Sequence, residues 1–338
     1  MRSSLSDLLD VRRVLLADGA TGTNFFAMGL GSGDPPEFWN EDHPDRVKLL
    51  HQNFVDAGAD IILTNTFGCN RHRLALHNAQ DRVFDIAKRA AELAREVADA
   101  ASRPVVVAGS VGPTGSLFVP LGALTEAEAI DVFTEEIEGL KAGGADVAWI
   151  ETMSAIEEMQ AAANGAIKAG MPYTLTASFD TAGRTMMGLQ PGDLIDVFAP
   201  LSEAPLAFGA NCGVGASDLL GSILAMTDRS PNHIHIAKGN CGVPQFRGVE
   251  IVYSGTPALM GDYATLAANS GARIIGGCCG TSPEHLASMR ATLDRYLAGE
   301  TVGDRPTLDV VASTIGPLAN AAPGGPAPQA RARRRNRD

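Results

Sequence analysis

An α/β fold of the (β/α)8, or TIM-barrel, class, with a metal site at the C-terminal ends of its strands, is what the sequence predicts, on three observations. Eight short β-branched runs alternate with amphipathic stretches rich in Ala, Glu and Leu, the pattern of parallel βα units. Each run ends in small or polar residues, and it is at such strand ends that a barrel gathers its chemistry. Cysteines close or directly follow the last three runs. A doubly wound open sheet is the structural alternative.

The expected strands are VLLADGAT (14–21), DIILTNTF (60–67), VVVAGSVG (105–112), VAWIETM (147–153), YTLTASFD (173–180), LAFGANC (206–212), HIHIAKGN (233–240) and RIIGGCCG (273–280). Between them, 45–59, 85–101, 125–145 and 284–299 carry helical periodicity. In the third of these, Thr125 followed by Glu128 reads as a capping box, and Gly143-Gly144 as a stop. Residues 1–300 form the expected barrel. The extension 301–338 is expected to be largely disordered, because periodicity gives way to a Pro-, Ala- and Arg-rich tail. That tail reads as solubilising, without a specific role.

Composition narrows the function. The chain has 338 residues, 45 % of them hydrophobic, which suits one large domain. A formal charge of -12 and a pI near 5.0 argue against nucleic acid or an anionic membrane surface as partner. The first twenty residues lack the uninterrupted apolar core of an export signal, and no stretch approaches the ~20 apolar residues that span a bilayer, so a cytoplasmic location is expected. Five cysteines (Cys69, Cys212, Cys241, Cys278, Cys279) in such a chain point to metal binding or catalysis rather than to disulfides.

The adjacent thiols of GGCCGT (276–281) carry the chemical argument. Three thiolates bind zinc tightly and leave a fourth position open, the design of a catalytic site. No CxxC pair occurs, so the fold must bring the ligands together. Inert buried cysteines, or a redox-sensing vicinal pair in a non-catalytic thiol or zinc sensor, are the competing readings. Thiolate-rich zinc suits a soft substrate thiol, held as thiolate near neutral pH, which implies alkyl transfer to sulfur. Asp18 ends the first strand and Glu151 the fourth, so both carboxylates can face a cavity where an amino-acid ammonium offsets their charge. Gly19 and Gly22 are expected to let the backbone approach a ligand, and the amides around GSVGPTG (109–115) to cradle a carboxylate. There is no dinucleotide fingerprint or P-loop.

DGATGT, TNTFG, GSVGP, IET, GANC and GGCCGT, in this order, make the sequence resemble the homocysteine S-methyltransferase family over all but the tail. The resemblance implies a (β/α)8 barrel with Zn2+ on Cys212, Cys278 and Cys279, and homocysteine sulfur attacking an electrophilic methyl group. It also implies that Asp18 and Glu151 hold the homocysteine amino group, with Gly19, Thr64, Asn65 and Ser110 among the substrate-binding residues. NCGVP is similar to a loop of cobalamin-dependent methionine synthases, which makes Asn240 a candidate exchangeable fourth ligand. Cys241 departs from that loop's alanine and is expected to point inertly into the barrel wall. Two donors compete. A small onium compound such as glycine betaine, dimethylsulfoniopropionate or S-methylmethionine suits a barrel acting alone. Methylcobalamin on a corrinoid protein would instead make the chain the homocysteine-activating subunit of a split methionine synthase. The animal betaine enzymes have tyrosines where this chain has Gly68 and Thr152, while HIAKGN resembles the bacterial betaine branch, and Trp39 is the candidate donor contact. The implied partners are homocysteine and a small methyl donor, with no nucleic acid and no membrane; assembly into a homo-oligomer stays open.

Overall fold

The computed structural model describes residues 2–242, 244–247 and 250–319. Eight parallel strands form one sheet: β1 (Leu15–Leu16), β2 (Ile61–Leu63), β3 (Val106–Val111), β4 (Val147–Met153), β5 (Tyr173–Ala177), β6 (Ala207–Cys212), β7 (His235–Gly239) and, after the pair β8 (Pro244–Arg247) and β9 (Glu250–Tyr253), β10 (Ala272–Gly277). The order β1-β10-β7-β6-β5-β4-β3-β2 is closed by a parallel bridge between Ala17 and Ile61, giving the expected barrel. All eight expected strands are present. The antiparallel pair β8-β9, inserted after β7, was not expected.

Strand alternation divides the residues between two cores. Leu15, Ile61, Val106, Val147, Trp149, Ile236 and Ile274 fill the barrel interior, and helix Leu5–Val11 plugs its N-terminal end with Leu5, Leu8 and Leu9. Leu16, Ile62, Val107, Ala148, Leu175, Phe208 and Ile275 face outward into the larger core beneath the helices. Two residues beyond Ala108, Trp149 and Ile236 the inward series turns polar. Ser110, Glu151 and Lys238 follow in phase on β3, β4 and β7, and Thr176 and Asn211 continue it on β5 and β6.

Helices Pro44–Asp56, Val83–Ala100, Glu126–Ala142 and Pro283–Leu297 occupy the expected positions. Thr125 and Glu128 make the expected capping box, and Gly143 is the C-cap. The boundary expected at residue 300 requires correction. Helix Leu308–Ile315 packs against helix Ala216–Arg229, with Val311 and Ile315 buried, Ser217 Oγ donating to Gly316 O at 2.6 Å, and Arg305 bonding Asp228 and Leu224 O. Its apolar stripe recurs at i, i+3, i+4 and i+7 (Leu308, Val311, Ala312, Ile315), and that period outweighs the poor composition of the flanking residues. Residues 320–338, half of the extension expected to be largely disordered, lie outside the described residues. No helix among the described residues is long and apolar enough to cross a membrane.

Candidate metal centre and substrate cavity

The Sγ atoms of Cys212, Cys278 and Cys279 lie within 4.8 Å of one another at the C-terminal end of the barrel, all three half-buried. Backbone geometry brings them there. Cys212 ends β6 with φ +60°, a left-handed conformation that non-glycine residues adopt at some cost and that concentrates at functional sites. Cys278 N donates to Gly239 O at 2.7 Å, tying the end of β10 to β7, and Cys241 N donates to Cys279 O at 2.9 Å. Gly280, at φ +80°, lets the chain turn away beneath the Tyr253 ring.

Without a cation the three sulfurs disfavour one another as anions. The hydrogen bond with Cys278 leads in pushing the Cys212 thiol up to about 12. That with Cys212 leads in raising Cys279 to about 11. Cys278 is raised too: its bond with Cys212 pulls it down, but Cys279 and burial outweigh that. A divalent ion reverses this balance by pairing with each sulfur, so the donor set fits soft, thiophilic Zn2+. Cys241 is 1 % exposed and lies outside the cluster, packed against Gly255. Asn240 adjoins the cluster, its Nδ2 donating to Cys212 Sγ at 3.7 Å. Its Oδ1 accepts the Cys279 N–H at 3.1 Å and its Nδ2 donates to Gly213 O at 2.8 Å, so fourth-ligand duty would require its oxygen to leave the Cys279 amide.

Above the sulfurs a cavity of about 670 Å3 opens, lined among others by Gly19, Thr64, Asn65, Ser110, Glu151 and Lys238. Of the expected substrate residues, Gly19, Thr64, Asn65, Ser110 and Glu151 line its wall, whereas Asp18 and Trp39 do not. Asp18 has both oxygens taken, Oδ1 by Lys238 Nζ at 2.7 Å and Oδ2 by Leu63 N at 2.7 Å. Burial raises its carboxyl and Lys238 opposes the shift. Glu151 Oε1 accepts the Ser110 hydroxyl at 2.6 Å, and among the described residues nothing donates to its second oxygen. Burial raises this carboxyl too, again against Lys238. Lys238, buried over the Trp149 ring, holds its proton despite burial because Asp18 and Glu151 flank it. Lys238 went unassigned in the sequence reading, although its in-phase spacing from Ile236 places it inside the barrel.

Several of the expected roles look different in the structure. Trp39 does not line the cavity: it is 6 % exposed, packed on Phe25 at 5.0 Å and covered by Arg46 at 5.0 Å, because helix Trp39–Asp42 turns its ring into the outer core. Gly19 lines the cavity and is also required for packing, since a Cβ there would sit 2.6 Å from Thr281 O and 2.9 Å from the Phe54 ring. The amides after β3 are not a carboxylate cradle, for Thr114 N donates to Glu158 Oε1 and Ser116 N to Thr114 Oγ1. Asn65 directs its amide to Pro36 O and Asn40 Oδ1, and so pins the 36–40 segment. Thr64 likewise bonds Thr66 Oγ1 and the Ser110 amide.

The sequence pattern of the family described as homocysteine S-methyltransferase matches residues 15–293, the whole barrel. The chain belongs to the homocysteine S-methyltransferase family. The chain is 31 % identical over 306 residues to the methionine synthase of Mycobacterium tuberculosis, covering 85 % of this chain and 25 % of that protein. The methionine synthase of Mycobacterium leprae is 29 % identical, again over 25 % of its length, so the chain matches about a quarter of the length of these relatives. The metallated form of the homocysteine methyltransferase MmuM from Escherichia coli shares the fold, with a TM-score of 0.72 at 22 % identity over 85 % of this chain and 99 % of that one.

Proposed function

We propose that the protein methylates homocysteine to methionine with zinc held by Cys212, Cys278 and Cys279, and that the donor is glycine betaine or a similar small onium compound. The observation that carries the reading is the convergence of three sulfurs at the floor of a cavity whose wall presents Glu151 with an oxygen to spare. Zinc, when bound, supplies the acidity that keeps a substrate thiol ionised near neutral pH. The protein's own residues do the placing. Asp18 and Lys238 neutralise each other, which leaves Glu151 to receive the substrate ammonium, with Ser110 fixing its carboxylate. Sulfur then attacks the methyl carbon, the S–C bond forms as the C–N bond breaks, and the pair of electrons stays on the departing amine. No proton moves in that step, so no general base is assigned.

The second reading, a homocysteine-activating subunit that takes methyl from a corrinoid partner, is favoured by two observations. The curated relatives are methionine synthases more than three times as long, and Phe26, Phe67 and Leu76 stand exposed around the cavity mouth. Methionine formation by reduced, zinc-loaded protein, with glycine betaine and free methylcobalamin compared in parallel, separates the two. Turnover with betaine alone supports the first reading, and turnover only with methylcobalamin replaces it with the second. Single Cys→Ser changes at 212, 278 and 279 are expected to lose zinc and nearly all turnover; full activity of a zinc-free triple variant would refute both readings.

A further inference from the structure

The outer half of the cavity contains two charged groups that the methyl acceptor does not use. Glu37, in the single turn Pro36–Phe38, lines the wall at 5 % exposure, and its Oε1 accepts the Gly68 N–H at 2.6 Å. Among the described residues no cation lies within ion-pair distance of it. Burial pushes its carboxyl up, and Arg73 and His77 oppose the shift only from a distance. Arg73 lines the same cavity, and its guanidinium bonds no group among the described residues. One wall therefore offers a buried carboxyl without a paired cation and, at its solvent-exposed part, a guanidinium without a paired anion, and Phe26 and Phe67 line the same cavity.

Gly68 belongs to this arrangement. A Cβ at that position would lie 2.9 Å from Glu37 Oε1, so a side chain there and the carboxylate exclude each other. Asn65 and Asn40 hold the Glu37 segment down on the β2 loop, which keeps the carboxylate at the wall.

We infer that this outer half is the methyl-donor subsite and takes a zwitterion, with Glu37 facing its onium centre and Arg73 its carboxylate. The inference rests on the methyl-transfer reading above and specifies how its donor is recognised, by charge where a cage of aromatic rings would otherwise serve.

The test uses the full chain, zinc-loaded, with zinc content and circular dichroism as controls for folding. At saturating homocysteine, Glu37→Gln is expected to raise the KM for glycine betaine at least tenfold, with the homocysteine KM within twofold of wild type. Arg73→Gln should raise the betaine KM and narrow the preference for betaine over choline, a cation without the carboxylate, by at least tenfold. Gly68→Ala should mimic Glu37→Gln by displacing the carboxylate. Calorimetric titration of betaine, with methionine replacing homocysteine to prevent turnover, should show the same losses in binding. Unchanged betaine KM and affinity in Glu37→Gln and Arg73→Gln would overturn the assignment while leaving the onium donor intact, as would donor and homocysteine constants that rise together. A wild type that neither binds nor uses betaine, yet methylates homocysteine from methylcobalamin, would overturn the onium reading and this inference with it.

Discussion

Replacing Lys238 with methionine tests the electrostatic design of the site most directly. Lys238 Nζ lies 2.7 Å from Asp18 Oδ1, and both side chains are 2 % exposed. Methionine keeps most of the volume and removes the charge, so Asp18 would retain only the Leu63 amide. Removing one partner of a buried pair costs about 3–5 kcal/mol, because the survivor is left uncompensated away from water. A fall of about 1–2 M in the urea midpoint follows. The double variant Asp18→Asn with Lys238→Met removes both charges and should recover most of the loss. The kinetic counterpart separates a direct from an indirect role for Asp18. Two carboxylates and one ammonium leave the cavity with one net negative charge, enough for one substrate ammonium. Asp18→Asn alone frees Lys238 to pair with Glu151, so the homocysteine KM should rise at least tenfold, about 1.4 kcal/mol. The double variant, with no free ammonium to compete, should return to within about threefold of wild type. Urea melts and initial rates with homocysteine varied provide both readings. A loss of under about 1 kcal/mol for Lys238→Met would refute the energetic argument. A double variant as poor in KM as Asp18→Asn would show instead that Asp18 touches the substrate itself.

Two further predictions concern stability. His51 is fully buried, and its Nε2 finds no partner among the described residues; burial lowers its pKa from 6.5 to about 4. The unfolded chain therefore binds the proton first, so stability is complete above about pH 6.5 and falls by about 3 kcal/mol as the pH drops to about 4. His51→Leu should flatten that acid limb in denaturant titrations, and an unchanged slope from pH 6.5 to 4 would argue against the assignment. Ending the chain at residue 319 should leave melting and turnover unchanged. Ending it at 304 removes buried Val311 and Ile315, each worth about 1.5–3 kcal/mol, and should lower the Tm by about 5–10 °C; equal melting of the two truncations would contradict the packing described.

The barrel was legible because its signal is repeated. Most of the eight strands had a β-branched run and a small-residue end, and a weak one such as LAFGANC (206–212), which has no β-branched residue, was carried by the others. Boundaries were less so: β1 is only Leu15–Leu16 where 14–21 was expected, although the backbones of Ala17 and Asp18 still bond Ile275, Ile61 and Gly277. The sulfur cluster was legible from the resemblance more than from spacing, since Cys212 and the pair Cys278-Cys279 meet only through adjacent strand ends. The helix Leu308–Ile315 was lost to composition, as its flanking prolines and glycines masked two turns of clean periodicity.

The inner wall was hardest to read because a residue type does not reveal which of its possible partners it meets. Asn65, Thr64 and the amides after β3 are polar groups near a cavity, and the sequence offers no way to see that Pro36 O, Thr66 and Glu158 already satisfy them. Trp39 fails for the same reason in apolar form: Phe25 and Arg46 cover its ring. Lys238 is different, because parity was available. β7 pairs on both sides, with Lys238 opposite Asn211 and Gly276, so a central strand with Ile236 inside must turn the residue two further on toward the same interior. A lysine so placed must have a carboxylate within reach, and the strand-end Asp18 and Glu151 were the candidates at hand. Read that way, HIAKGN already implies that one of the two carboxylates is taken before any substrate arrives, which is the feature on which the Lys238 and Asp18 variants turn.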